Sequence, residues 1–214
     1  MPPSNTFTKL TCGMNHCCSL DSAGGAWCWG KGTENQLGTG VAEDAPEPVQ
    51  IPAAPSGAWI DISAGWRYTC AVDSAGVVYC WGDGGEHIGM GDWGYGITTP
   101  TPIIATGAIF RSVRASLYND PFTCALDSEG ESWCWGYNWD GQLGNGTETN
   151  SGTPVRSYSA PEPYLPGSLS TGMNHTCALT IHNKPYCFGG NNMGSAGLGL
   201  LEKIAIPMAT LPPQ

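Results

Sequence analysis

A pair of cysteines ten residues apart recurs four times in this chain of 214 residues. The pairs are Cys18/Cys28, Cys70/Cys80, Cys124/Cys134 and Cys177/Cys187, and each lies in a stretch of one pattern: HCCSLDSAGGAWCWG, YTCAVDSAGVVYCWG, FTCALDSEGESWCWG and HTCALTIHNKPYCFGG. Successive copies begin 52, 54 and 53 residues apart (18 to 70 to 124 to 177). A fixed period of this size means a repeat architecture, in which each unit buries its faces only against its neighbours. The chain reads as one domain, 1–214, with repeats at roughly 7–58, 59–107, 108–166 and 167–214.

The spacing of ten is that of a hairpin. Centred between Cys70 and Cys80, the loop is Ser74-Ala75-Gly76, and Asp73 faces Val77. A three-residue hairpin loop is typically a type I turn followed by a left-handed residue. Gly76 takes the left-handed place and Asp73 the favoured first position of the turn. Gly24 and Gly130 repeat the arrangement, and the fourth copy puts Asn183 there, a residue that tolerates the left-handed conformation. This register sets the two cysteines opposite each other, within disulfide reach. Each pair therefore reads as a hairpin staple. Zinc sites place two to four residues between cysteines and redox motifs place two; unpaired core cysteines are the other reading. Cys12 and Cys17 stand outside the pattern. A turn through Gly13–His16 joins them in a fifth disulfide; the alternative is two free thiols.

Two further strand candidates flank each hairpin. Before it come WIDISAGW, IFRSVRAS or SLSTGMNH; after it come PEPVQIP, PTPIIAT, TPVRSYS or AIPMATL. Prolines in the last of these suit an edge, where no donor is needed. Gly at 31 and Pro at 17 fit short strands joined by tight turns, and 9 Trp and 8 Tyr supply buried area that a chain poor in aliphatic residues needs. The expected fold is all-β: a β-propeller of four-stranded antiparallel blades, four in the chain.

The strings CGMNHCCSLDSAGGAWCWG…NQLG, TCALDSEGESWCWGYNWDGQLGNGT and GMNHTCAL resemble the regulator of chromosome condensation repeat, and the resemblance spans essentially the whole chain. It implies a propeller of blades of about 50 residues, usually seven. Blade angles suited to seven leave four blades spanning little more than half a turn. The resemblance thus favours self-association or docking at the faces of the first and last blades over a closed four-bladed monomer. Departures from the pattern include EHIG for GQLG in the second repeat, a three-residue insertion (RASLYNDPFTC) in the third, and Phe188 where the others have Trp29, Trp81 and Trp135.

Net charge is −10, and the eight Lys and Arg are scattered. That argues against nucleic acid, which needs basic clusters, and against anionic membrane surfaces. No apolar run approaches a spanning helix, and the N-terminus shows no signal-peptide pattern. The four histidines and the recurring Asp21, Asp73 and Asp127 form no catalytic constellation; the aspartates read as turn formers. No cofactor or metal is expected. Asp83, Asp92 and Asp140 lack the alternating oxygen-ligand pattern of a calcium loop. Sequons mark Asn145 and Asn174 for glycosylation. Aromatics in the links form the candidate binding set: Trp93, Tyr95, Tyr118, Phe122, Tyr137 and Trp139, with Tyr158 and Tyr164 beside them. The third-repeat insertion, Leu117 to Pro121, is the first place to look for a partner.

Disulfide-rich chains belong to oxidising compartments, so the expected location is extracellular or the cell surface. The leading function is a non-enzymatic protein-binding or assembly module. A structural subunit of a surface filament, a glycan-binding propeller and, last, guanine-nucleotide exchange are the alternatives; the exchange activity is implied by the resemblance alone, and nothing matches a basic chromatin arm or an exchange wedge.

Overall fold

Among the described residues, sixteen strands make four antiparallel sheets, each a meander of consecutive strands. The computed structural model describes residues 6–83, 89, 96–104, 106–199 and 201–211. The first sheet holds β1 (Phe7–Cys12), β2 (His16–Asp21), β3 (Ala26–Gly30) and β4 (Ala45–Gln50). The second holds β5 (Trp59–Ala64), β6 (Tyr68–Asp73), β7 (Val78–Gly82) and β8 (Ile97–Pro102). The third is β9 (Phe110–Ala115), β10 (Phe122–Asp127), β11 (Ser132–Gly136) and β12 (Ser151–Arg156). The fourth is β13 (Ser170–Thr171), β14 (His175–Leu179), β15 (Pro185–Gly189) and β16 (Ile204–Ala209).

The central hairpins have the register that the turn chemistry dictates. Cys18 pairs with Cys28, Cys70 with Cys80, Cys124 with Cys134 and Cys177 with Cys187. The Asp73 amide donates to the Val77 carbonyl at 3.0 Å and the Gly76 amide to the Asp73 carbonyl at 2.9 Å. Gly76 has φ +84° and Asn183 φ +60°. The turn aspartates accept as well: Asp21 takes the amides of Ala23 and Gly25 on one oxygen and the Trp27 indole N–H on the other, at 2.8–2.9 Å. Asp127 repeats this with Glu129, Glu131 and Trp133.

Disulfides join Cys18 to Cys28, Cys70 to Cys80, Cys124 to Cys134 and Cys177 to Cys187, each across a Cα separation of 4.1 Å. A fifth joins Cys12 to Cys17, and no cysteine is left free. The alternatives of unpaired core cysteines and of two free thiols are thereby set aside. Cys28 and Cys187 show that bonding and core packing go together. Cys28, in the middle of β3, is buried in the core between the first and second sheets, next to Leu20, Leu37 and Trp81. Cys187, in the middle of β15, is buried with Ala196, Leu198 and Ile204 of its own blade. Adjacent strand residues face opposite ways, so Cys18 turns to Cys28 on β3 while Cys17 turns to Cys12 on β1.

Replacing Cys124 and Cys134 with alanine is expected to lower stability by about 2.7 kcal/mol, the loop-closure entropy of an eleven-residue ring. Urea midpoints measure it, and peptide mapping without reduction checks the pairing itself. Linkage between different repeats would contradict the hairpin geometry.

Consecutive sheets meet along their first strands. β1 lies against β5, β5 against β9, and β9 against β13, so these strands form the inner edge and the proline-bearing β4, β8, β12 and β16 the outer one. Inner strands are stitched by hydroxyls: the Ala64 amide donates to Thr11 Oγ1 (3.1 Å) and the Ala115 amide to Ser63 Oγ (3.0 Å). Asp61, buried on β5, ties three sheets together. It takes Lys9 of β1 on Oδ1. Its Oδ2 receives Arg114 Nη1 and the Val113 amide of β9, each at 2.9 Å.

The joints also seat a loop on a ring. The loop after β3 brings the Gln36 carbonyl to Trp81 Nε1 (3.0 Å) and Thr69 Oγ1 (2.8 Å) of the next sheet. Gly38 lies flat on the Trp81 indole; a Cβ there, at φ +72°, would stand 2.5 Å from Nε1. Between the third and fourth sheets, Gly144 lies on Phe188 in the same way, its hypothetical Cβ 2.7 Å from the ring. Trp81, Trp135 and Phe188 are fully buried.

Candidate aromatic site between the third and fourth blades

In an antiparallel meander the hairpin tips gather at one end of the blades. The turns between first and second strands, and the loops between third and fourth, gather at the other. That second end carries the candidate site. The insertion between β9 and β10 supplies Tyr118 and Asp120, the loop after β11 supplies Tyr137, Trp139, Asp140 and Gln142, and the β13–β14 turn supplies Met173 and Asn174; together they line a pocket of about 240 Å³.

The pocket owes its position to local hydrogen bonds. Ser116 anchors the insertion: its Oγ accepts the Phe122 amide at 3.0 Å and its amide donates to Tyr68 Oη at 3.1 Å. In the loop, the Asp140 amide donates to Gln142 Oε1 (2.9 Å) and the Leu143 amide to Asn138 Oδ1 (2.9 Å). Tyr137 and Trp139 meet edge to face at 5.6 Å between centroids. Across the joint, Asn174 Nδ2 donates to Asp140 Oδ2 at 3.0 Å. Trp139 keeps 65% of its surface in solvent and Met173 54%. At the joint between the first and second sheets, the places of Tyr137 and Trp139 hold Lys31 and Thr33. There Arg67 lies over Trp66 at 4.0 Å. The paired rings of the third joint thus have no counterpart at the first.

The chemistry on offer is recognition. The exposed rings of Tyr118 and Trp139 provide rigid apolar area, and carboxylates and amides at the rim provide orientation. Among the described residues, no group of three or more His, Cys, Asp or Glu is placed to hold a metal ion.

The structure brings Tyr118, Tyr137 and Trp139 together and corrects two other expectations. Phe122 is completely buried, as the first residue of β10 facing the core between the third and fourth sheets. No partner reaches it. Tyr164 is buried in the same cluster. Both looked like link residues, but each opens or bridges a strand: Phe122 pairs with Gly136, and Tyr164 bridges Thr180. Tyr158 is exposed, outside the pocket. Trp93, Tyr95 and Asp92 lie outside the described residues. The ten cysteines take no part in the pocket: Cys28 and Cys187, like the other hairpin cysteines, are bonded within their own blades and add no reactive thiol. Asn145 Oδ1 accepts the amide (3.1 Å) and hydroxyl (2.8 Å) of Thr147 in its own sequon. Asn174, by contrast, commits its amide nitrogen to Asp140.

Histidine reading from sequence missed a joint residue. His16 Nε2 meets Thr69 Oγ1 at 2.8 Å, and Thr69 gives its only proton to the Gln36 carbonyl. The imidazole must therefore donate from Nε2. Its Nδ1 is buried without a hydrogen-bond partner among the described residues. Burial pushes the His16 pKa down to about 4, against a weaker upward pull from Glu34.

Two models of the regulator of chromosome condensation (RCC1) repeat match the chain, over residues 23–72 and 59–87. The ultraviolet-B receptor UVR8 of Arabidopsis thaliana is 33% identical over 202 residues, covering 92% of this chain and 44% of its own length. The mitochondrial RCC1 domain-containing protein RUG3 of the same plant is 27% identical, over 92% of this chain and 45% of its own. The chain thus spans under half the length of these two relatives. Among solved structures, human WBSCR16 superposes with a TM-score of 0.85 at 21% identity, over 100% of this chain and 55% of its own. Prp20p of Saccharomyces cerevisiae does so at 0.81 and 18%, over 99% of this chain and 52% of its own. Sequence similarity along nearly the whole chain and the shared blade architecture agree: this chain belongs to the RCC1 repeat family.

Proposed function

We propose that the chain is a protein-binding module that works outside the cell, without catalytic turnover, and that the pocket of Tyr118, Tyr137 and Trp139 is its contact point. The observation that carries the reading is the convergence of these three aromatics from two separate loops, with Trp139 mostly in solvent. Large exposed rings of this kind anchor interfaces. Protein contact is a known use of the fold: yeast Prp20 has been crystallised with Kap60 bound, and Prp20p is described by its binding to Gsp1p and histones. The five disulfides support an oxidising compartment.

The test uses the intact chain and its Trp139→Ala variant as baits in the secreted and cell-surface fraction of the source. A protein retained by the first and at least tenfold depleted on the second is the expected result. Equal retention by both moves the contact elsewhere. Binding on a glycan array that vanishes with Trp139→Ala would turn the reading to a glycan-binding propeller. Intact mass of the natural protein, isolated with thiols blocked, checks the compartment; a fully reduced chain would overturn the extracellular assignment.

A further inference from the structure

The joints inside the molecule specify what its two end faces are shaped to meet. An internal joint has a donor loop and a seat. In the first donor loop the Gly40 amide donates to the Thr98 carbonyl on the next blade at 2.9 Å; in the third, the Gly146 amide donates to the Ala205 carbonyl at 2.8 Å. The glycine two residues earlier lies on the ring of Trp81 or Phe188.

The first blade carries a seat that no described residue of the other blades fills. Trp29 stands where Trp81, Trp135 and Phe188 stand, yet it is only half-buried, with Phe7 against one flank at 6.5 Å between centroids. Ala45 pairs with Gly30 as Ile97 pairs with Gly82 and Ile204 with Gly189. The next residue, Pro46, therefore presents the carbonyl that Thr98 and Ala205 use. Around it Asn15, Gly30, Lys31, Asp44, Ala45 and Pro46 line an open hollow of about 540 Å³. On the second blade the corresponding place is occupied: a Cβ on Gly82 would lie 3.2 Å from the Cα of Gln36.

The fourth blade carries a donor loop that no described residue of the other blades receives. Its backbone repeats that of the third. The Gly194 amide donates to the Asn191 carbonyl as Gly141 does to Asn138, both at 2.9 Å, and the Gly197 amide to Gly194 as Gly144 does to Gly141 (3.0 and 2.9 Å). Asn191 Oδ1 accepts the Ala196 amide at 2.8 Å, as Asn138 Oδ1 accepts that of Leu143 at 2.9 Å. Gly197 and Gly199 have φ of 64° and 68°, against 65° and 79° for Gly144 and Gly146. Met193, in the place of Glu34 and Asp140, is 94% exposed. Ser195 replaces the glutamine, but the joint uses that residue's backbone carbonyl, which any residue supplies.

We propose that two copies of this chain pair head to tail, the 190–199 loop of one seating in the hollow at Gly30 and Pro46 of the other, against its Trp29. Gly197 lies against Trp29, the Gly199 amide donates to the Pro46 carbonyl, and Met193 packs over the rim at Asn15. A second copy is the occupant because the seat and the loop that fits it both belong to this chain. The contact is heterologous, and the pair is a closed one, with two such joints, because a pair that left a seat and a loop free would go on adding copies. One hydrogen bond of the internal joints is absent. Cys17, bonded to Cys12, stands where Thr69 and Thr176 offer their hydroxyls, so the pair dissociates on dilution more readily than the blades part.

The experiment is sedimentation velocity from submicromolar to about 100 micromolar chain, on wild type and on Trp29→Glu and Met193→Glu, with circular dichroism to confirm folding. Met193 is almost wholly in solvent, so its substitution leaves the fold intact even if Trp29→Glu does not. Wild type is expected to shift from monomer to dimer with concentration, and each variant to weaken that dimer at least tenfold. An equimolar mixture of the two variants should recover a dimer, because one variant keeps the loop and the other keeps the seat. Wild type that stays monomeric throughout overturns the proposal. A dimer indifferent to both substitutions, or variants that fail to complement, overturns it as well.

Discussion

Asp61→Ala is expected to cost about 3–4 kcal/mol of folding stability, among the largest losses from any single side chain here. Asp61 is the carboxylate shared by Lys9, Arg114 and the Val113 amide. Its side chain is 5% exposed, while those of Lys9 and Arg114 keep 30% and 23%. Removal leaves two partly desolvated cations on neighbouring inner strands and one buried amide without an acceptor. An uncompensated buried charge is costly, and an orphaned buried donor adds to it; the residual exposure of the cations holds the total to the lower part of the range. Arg114→Ala should cost less, because Asp61 keeps Lys9 and the amide. Urea unfolding with an unchanged m-value measures both. A loss below about 1 kcal/mol for Asp61→Ala would mean that the three inner strands hold together without it.

Acid is expected to loosen the joint between the first and second blades. The folded-state pKa of His16 is about 4 against 6.5 unfolded. As pH falls through 6.5 the unfolded chain takes up a proton that the folded imidazole refuses, so stability is lost from pH 6.5 down to about 4 and then levels off. The shift corresponds to roughly 3 kcal/mol. The cause is geometric: Nε2–H is engaged with Thr69, and a proton on Nδ1 would be buried with no acceptor among the described residues. His16→Gln retains a donor for Thr69 and cannot titrate. Carboxylates also titrate in this window, so the readout is the difference between the two stability–pH curves. Parallel curves would show that His16 is solvated.

The hairpins were legible in the sequence because their chemistry is local. Asp73, Gly76 and the two flanking cysteines act within about eleven residues, and the recurrence of the pattern fixed the phase. The burial of Cys28 and Cys187 against different neighbours was not legible, since it depends on which blade packs on which. The aromatic pocket was half legible. Tyr118, Tyr137 and Trp139 showed as aromatics in irregular segments, but Phe122 showed the same way and is core. Its repeat-equivalents, His16 and Tyr68, are strand residues in joints, and that comparison was the available signal. The Asp61 network joins residues 52 and 53 apart (9 to 61 to 114), a separation that becomes contact only when blades are stacked side by side. Even so, Lys9 and Asp61 occupy the same place in successive repeats: Leu10 pairs with Ser19 as Ile62 pairs with Ala71. Opposite charges at one repeat position, one period apart, are readable as neighbours around an axis. The seating of glycine loops on tryptophan was not readable, since nothing in NQLG or GQLG names its partner ring.

Every disulfide closes inside one blade, and the pair at Cys12 and Cys17 closes inside one turn. Each repeat therefore carries its own complete oxidation chemistry. A gene that gains or loses one such unit leaves no orphan thiol behind and rewires no existing bond. Of the many pairings open to ten cysteines, more than the roughly one hundred open to eight, each cysteine takes the partner no more than ten residues away. Blade number is thus not constrained by disulfide pairing; the contacts between blades, the glycine loops on their rings and the Asp61 network among them, carry that constraint.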